Sequence, residues 1–135
     1  NSVIDYKHIE KIVHQLLTSY DLLDRSVIST FNASSIKRIE QLDNKLETGF
    51  LTSKGIKDLP TYAKSLGADS IHIKYRLLNK SIIKQAHNDN IHIRVYTVNR
   101  PSRIMRCYKL GCDAIITDVP QVAKEYRELF YNTHN

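Results

Sequence analysis

Helical and strand periodicities alternate along this chain without a break, and that alternation constrains the fold more than any other feature. Ile9, Ile12, Val13, Leu16, Leu17 and Tyr20 recur at the i, i+3, i+4 spacing of a helix. His8, Glu10, Lys11, His14 and Gln15 fill the opposite side, and Asp5 is the expected N-cap. A strand pattern follows over 27–31, then a helix with Ile36, Ile39 and Leu42 that Asn32 can cap. Residues 46–52 read as a second strand, interrupted by Gly49. After a polar loop over 53–58, Pro60 sits in the first turn of a third helix. Gly67 stops that helix by the left-handed route. Residues 70–74 then alternate strictly, and Asn79 caps a fourth helix with Ile82, Ile83 and Ala86. The pattern over 91–98 predicts a strand. Asn99 and Pro101 open a fifth helix that Gly111 ends; 114–117 is the last strand, and Pro120 starts the final helix. Such an order predicts parallel strands joined by helical crossovers.

One six-residue pattern occurs twice, as Leu66-Gly67-Ala68-Asp69-Ser70-Ile71 and Leu110-Gly111-Cys112-Asp113-Ala114-Ile115. Each copy ends a helix with Gly and enters a strand, which fits the repeated turns of a barrel or a doubly wound sheet. A complete eightfold barrel needs about 250 residues, and this chain has 135. It also opens with a helix, whereas a barrel begins with a strand. The C-terminal portion of a TIM (β/α)8 barrel explains both facts; a small doubly wound domain explains only the alternation. Residues 1–135 are therefore read as a single partial domain. The absence of an initiator Met fits a piece of a longer chain.

Charge narrows the class of partner. Twenty Lys and Arg against 14 Asp and Glu give a net charge of +6, which suits phosphate esters, nucleic acid or an acidic membrane surface without choosing among them. No apolar stretch reaches the length of a transmembrane helix, and the first residues lack the pattern of a signal peptide. Cys107 and Cys112 are too few for a disulfide framework. They read as structural thiols, with no second pair to make a zinc site.

The strict alternation divides the strands into two faces. Ile71, Ile73, Ile91, Ile93, Val95 and Thr97 form one set; His72, Lys74, His92, Arg94 and Tyr96 form the other. In a barrel the apolar set packs on helices and the mixed set turns inward, toward the C-terminal mouth where sites are built. His72, Lys74, Arg94 and Tyr96 are accordingly assigned inward, where basic groups could hold a phosphate. The alternative is a solvated face of an incomplete sheet. No paired histidines with an attendant Glu, no phosphate-binding glycine loop and no nucleophile elbow occur. Asp118 stands either at a site mouth or as a cap for the final helix.

Tyr96-Thr97-Val98-Asn99 resembles the Trp-Thr-Val-Asn signature of the glycerophosphodiester phosphodiesterase family. Ile115-Ile116-Thr117-Asp118 followed by Pro120 is similar to that family's closing motif, 27–32 (Val-Ile-Ser-Thr-Phe-Asn) to its Ser-Phe-Asn strand, and Leu66-Gly67-Ala68-Asp69 to its Leu-Gly-Ala-Asp segment. The ordered set covers roughly Tyr6 to Leu129. The resemblance implies an eightfold barrel that hydrolyses glycerophosphodiesters to glycerol 3-phosphate and an alcohol, commonly with Ca²⁺ or Mg²⁺. It also implies that the acid/base histidines and metal carboxylates come from upstream motifs: His-Arg-Gly, Glu-x-Asp, a second His and a further Glu. None is present here. No catalytic residue and no metal are therefore expected on this segment, and the isolated chain is predicted to be inactive.

By the same resemblance Phe31 and Tyr96 line the substrate pocket, with Thr97 and Asn99 as polar groups behind it; Tyr96 stands where the family has Trp. Ordinary core packing for Phe31 and helix capping for Asn99 are the competing readings. Together with His72, Lys74 and Arg94 these residues make up the expected pocket for a small-molecule glycerophosphodiester. The rival function is a non-catalytic half-barrel that self-associates, or pairs with a separate N-terminal half, through unpaired strand edges. No nucleic-acid motif supports a nucleic-acid binder. Compartment stays open between the cytoplasm and membrane association through an upstream segment.

Overall fold

Short polar side chains start two of the helices, as the sequence implies. Asn32 Oδ1 accepts from Ser34 N at 2.9 Å at the head of α2 (Ala33–Leu42), and Asn79 Oδ1 accepts from Ile82 N at 2.8 Å at the head of α4 (Lys80–Asn88). The computed structural model describes residues 9–21 and 26–134; Asp5 and His8 lie outside them. The remaining helices are α1 (Ile9–Ser19), α3 (Leu59–Ser65), α5 (Pro101–Leu110) and α6 (Pro120–His134). The strands are β1 (Val27–Thr30), β2 (Glu47–Thr52), β3 (Ser70–Lys74), β4 (His92–Tyr96) and β5 (Ala114–Ile115). A 3₁₀ turn at Tyr75–Leu77, which periodicity does not reveal, follows β3.

The strands form one parallel sheet in the order β1-β2-β3-β4-β5. The order never reverses. Because parallel crossovers are right-handed, every connecting helix falls on the same face. A doubly wound sheet reverses its order and puts helices on both faces, so this is the wall of a barrel. On the helix-covered face Phe50, Ile71, Ile73, Ile93 and Val95 pack with Ile36, Ala63, Ile83, Ala86, Ile104 and Cys107. Of these, Ile71, Ile73, Ile93 and Val95 are wholly buried.

The repeated hexapeptide is one device used twice. Gly67 and Gly111 end their helices at φ 85° and 88°, a conformation glycine adopts without a Cβ penalty. Two residues on, Asp69 Oδ2 accepts from Thr48 N at 2.9 Å and Asp113 Oδ2 from Ile93 N at 2.7 Å. Each Asp thus ties the start of its own strand to the start of the strand before it. Burial pushes the Asp113 carboxyl up, but the Ile93 N–H and the nearby His87 and His92 outweigh it and hold it below its usual value.

Three expectations are corrected. The strand expected over 91–98 is shorter at both ends: Ile91 N bonds to Ala86 O in the turn after α4, and Val98 N turns to Ile116 O. Asn99 does not open α5. Arg100 is its N-cap and makes no side-chain cap bond, since a guanidinium has no acceptor, and the Asn99 amide is engaged elsewhere. In α1 the apolar row is the uncovered one: Ile9, Ile12, Leu16 and Tyr20 are exposed, whereas Glu10 is only 6% exposed. Glu10 Oε1 accepts from Ser35 Oγ at 2.9 Å and from Arg38 Nε at 2.5 Å, so α1 meets α2 through an ion pair whose carboxylate is buried and whose guanidinium is partly exposed.

Candidate active site

The side chains of alternate residues on β1–β4 fill the face opposite the helices. Register sets Ser29 beside Gly49, Gly49 beside Ser70, His72 beside Arg94 and Lys74 beside Tyr96. The sequence assignment of His72, Lys74, Arg94 and Tyr96 to one face, away from the isoleucines, matches this register. A Cβ on Gly49 would stand 2.4 Å from His72 Nε2. The glycine that interrupts β2 therefore makes room for the imidazole.

His72 is 5% exposed and both ring nitrogens are occupied. Nδ1 lies 2.9 Å from Ser29 Oγ; Nε2 lies 3.0 Å from Ser70 Oγ and 3.1 Å from Arg94 Nη1. Burial, reinforced by the Arg94 charge and opposed by Glu47, lowers its pKa to about 4. The ring is therefore neutral near pH 7. A guanidinium can only donate, so Nε2 is the acceptor and Nδ1 carries the proton toward Ser29. Arg94 Nη1 also donates to Ser70 Oγ at 2.9 Å, and Nη2 faces Glu47 Oε2 at 3.4 Å. His72 and Arg94 are thus brought together as a hydrogen-bonded floor at mid-sheet. With both nitrogens committed, His72 is placed to hold neighbours rather than to shuttle protons.

The other pocket candidates lie at the C-terminal ends of the strands. Phe31 follows β1 and is 47% exposed, so it is not core packing. Lys74 ends β3 and is exposed. Tyr96 ends β4; its hydroxyl donates to Thr52 O at 3.1 Å, and burial raises its pKa despite the opposing charge of Arg76. The Tyr96–Thr97 peptide is cis, and Thr97 is exposed just beyond the strand. Asn99 joins two loops: its Oδ1 accepts from Thr117 Oγ1 at 3.0 Å and Asp118 N at 2.9 Å, and its Nδ2 donates to Asp118 Oδ2 at 2.9 Å. Asn99 and Asp118 therefore serve each other.

Sequence reasoning passed over Ser29, Glu47, Ser70 and Arg76. Alternation within β2 would have set Glu47 and Gly49 on one face, but only the register brings that face to His72 and Arg94. Arg76 Nη2 donates to Ser53 O, locking the loop after β3 to the loop after β2.

A divalent cation does not fit the residues present. Among the described residues no three His, Cys, Asp or Glu side chains converge to hold one. Glu47 starts β2, at the end away from the mouth, and is turned to Arg94.

Comparison with known proteins agrees with this geometry. The sequence profile of the glycerophosphoryl diester phosphodiesterase family matches residues 3–122. An uncharacterized protein of Bacillus subtilis, YqiK, is 33% identical over 91% of this chain, and a glycerophosphodiester phosphodiesterase of Bacillus altitudinis is 32% identical over 95%. The chain spans 51% and 53% of their lengths, about half of each. Among solved structures, a phosphodiesterase from Agrobacterium tumefaciens superposes with a TM-score of 0.83 at 18% identity, over 95% of this chain and 54% of the other. An Oleispira antarctica phosphodiesterase in complex with the product sn-glycerol-3-phosphate does so with a TM-score of 0.73 at 17% identity, over 91% and 52%.

Proposed function

The chain belongs to the glycerophosphoryl diester phosphodiesterase family, and from that premise we propose that residues 1–135 form the C-terminal half of a barrel that hydrolyses glycerophosphodiesters to glycerol 3-phosphate and an alcohol. The observation that carries this reading is a five-stranded barrel wall that spans about half of each relative. Phe31 and Tyr96 flank the substrate at the mouth as apolar walls. Lys74, exposed at the same level, meets the phosphate by a charge-assisted hydrogen bond. Asn99 fixes the loop after β4 against the loop after β5, and Thr97 adds a hydroxyl beside it. His72 and Arg94 form the floor beneath. Glycerol 3-phosphate as product agrees with the ligand of the Oleispira relative.

The family's divalent metal and its acid and base would come from the other half of the barrel, so this chain's own work is to bind and orient. Isolated, it releases no glycerol 3-phosphate from glycerophosphocholine. Co-expression with the N-terminal half of the Bacillus altitudinis relative tests the reading. Restored release that falls at least tenfold in kcat/KM in Lys74→Ala supports it; hydrolysis by the isolated chain refutes it.

A second reading rests on the uncovered row Ile9, Ile12 and Leu16 of α1 and on the outer edges of β1 and β5, which no strand pairs among the described residues. In it, the chain self-associates or pairs with a separate half-barrel through those surfaces. A monomeric mass that does not change with concentration in analytical ultracentrifugation would remove the self-association arm.

A further inference from the structure

We infer that the C-terminal rim of the sheet is a docking surface for an anionic phospholipid membrane. Six basic side chains are exposed along three successive strand ends and the helix start that follows them: Lys54 and Lys57 after β2, Lys74 at the end of β3 with Arg76 beyond it, and Arg100 and Arg103 at the head of α5. The loops form one surface. Arg76 bonds to Ser53 O, and the Arg103 guanidinium lies 4.9 Å from the centre of the Tyr75 ring, with that of Arg106 at 5.4 Å. Among the described residues, none of the six has a carboxylate within ion-pair distance. On these loops Asp58 is the only carboxylate among the described residues, and Asp118, on the neighbouring loop after β5, is held by Asn99. The opposite end of the sheet sets Asp43, Asp69, Asp89 and Asp113 against Lys45, Lys64 and Lys109, so positive charge is in excess at the C-terminal rim alone.

The arrangement suits a plane better than a small anion. Arg103 and Arg106 belong to α5, on the helix-covered side, while Lys54 and Lys57 follow β2, two strands away, so the cations are spread along the rim rather than gathered at one point. The belt therefore extends outward beyond the candidate pocket. Between the two lysines of the 54–57 loop, Ile56 is 36% exposed. An apolar side chain flanked by cations can enter the headgroup boundary while the lysines meet lipid phosphates. Nucleic acid is the poorer occupant, because Tyr75, the aromatic among these basic residues, already has two guanidinium groups against its ring. The inference stands on the placement of the cations and of the exposed Ile56, and is independent of the proposed hydrolysis.

Co-sedimentation of the protein with phosphatidylglycerol/phosphatidylcholine vesicles tests it. Lys54→Gln/Lys57→Gln/Arg100→Gln should lower the partition coefficient on the order of a hundredfold, since each cation near an acidic surface contributes about fivefold. Lys45→Gln/Lys64→Gln/Lys109→Gln removes the same charge from the rest of the surface and should leave binding within about twofold, because screening weakens charges more than a Debye length from the membrane. Circular dichroism confirms that both triples are folded. Equal loss in the two triples, equal binding to pure phosphatidylcholine vesicles, or tighter binding to single-stranded DNA than to the vesicles would each overturn the inference. So would release from vesicles by inorganic phosphate at matched ionic strength, which would mark a small-anion pocket instead.

Discussion

On one side of β3 and β4, Ile71, Ile73, Ile93 and Val95 are wholly buried against helices. One residue along each strand, on the other side, Ser70, His72 and Arg94 hold each other through hydrogen bonds of 2.9–3.1 Å. Both faces are filled, but by different physics. The apolar face is stabilised by contact area and volume, so its response to change is local and indifferent to pH. The polar face is stabilised by donors matched to acceptors around a neutral imidazole, so one altered partner disturbs the rest and protonation matters. The difference shows why a barrel can carry a site on its inner wall without weakening the outer one.

The largest expected effect breaks the apolar face. Ile93→Ala should cost about 2–5 kcal/mol, the range for deleting buried methylenes into a core that closes only partly. Urea denaturation should show a lower midpoint, with the same loss at pH 5 and pH 7.

The next effect belongs to the polar face alone. His72 is an ordinary imidazole in the unfolded chain, with a pKa near 6.5, and is lowered to about 4 in the fold. Between those values the unfolded state takes up the proton and the folded state does not. The contribution is therefore intact above about pH 6.5 and is lost as pH falls toward 4, by roughly 3 kcal/mol in total. Stability measured by denaturation across that window should fall in the wild type and hold nearly level in His72→Gln. Arg94→Met should raise the His72 pKa in an NMR titration, because the guanidinium charge is one of the causes that lower it.

A third test joins the imidazole on β3 to the glycine of the neighbouring β2. Gly49→Ala places a Cβ where the His72 ring lies, and overpacking of that kind costs about 1–3 kcal/mol. In a His72→Ala background the obstruction is gone, so the cost of Gly49→Ala should fall close to zero. A double-mutant cycle with no coupling energy would mean that the ring does not depend on the glycine.

The parts of this structure legible in the sequence are those set by local chemistry. Asn32 and Asn79 read as caps because a short acceptor side chain before an apolar period has few other uses. Gly67 and Gly111 read as helix ends because their neighbours repeat. Alternation sorted His72 and Arg94 from the isoleucines. Register between strands was not legible, so Glu47, Ser29 and Ser70 were missed, and Gly49 appeared as an interruption rather than as space for a ring. Asn99 was harder still. An Asn before a Pro at a helix start has the local signature of a cap, yet its partners, Thr117 and Asp118, are 18 and 19 residues away. Glu10 reads as solvent-facing until Ser35 and Arg38 are beside it.

The smallest expected effect asks whether the repeated turn is equivalent in its two copies. Asp69 and Asp113 each accept a backbone N–H from the preceding strand, at 2.9 and 2.7 Å, and losing one such bond costs about 1 kcal/mol. The copies differ in their surroundings. Asp113 also faces His87 Nε2 at 2.9 Å and His92 Nδ1 at 3.6 Å, and its carboxyl is held below the usual value, with the Ile93 N–H the foremost cause lowering it. A lowered carboxyl pKa contributes stability that is present above the unfolded value near 3.9 and is lost as pH falls through the folded one. Asp113→Ala should therefore cost more than Asp69→Ala at pH 7, and it should flatten the acid limb of the stability curve below pH 4. Equal curves for the two variants would show that the turn acts through its backbone bond alone and that the histidines beside Asp113 add nothing to the fold.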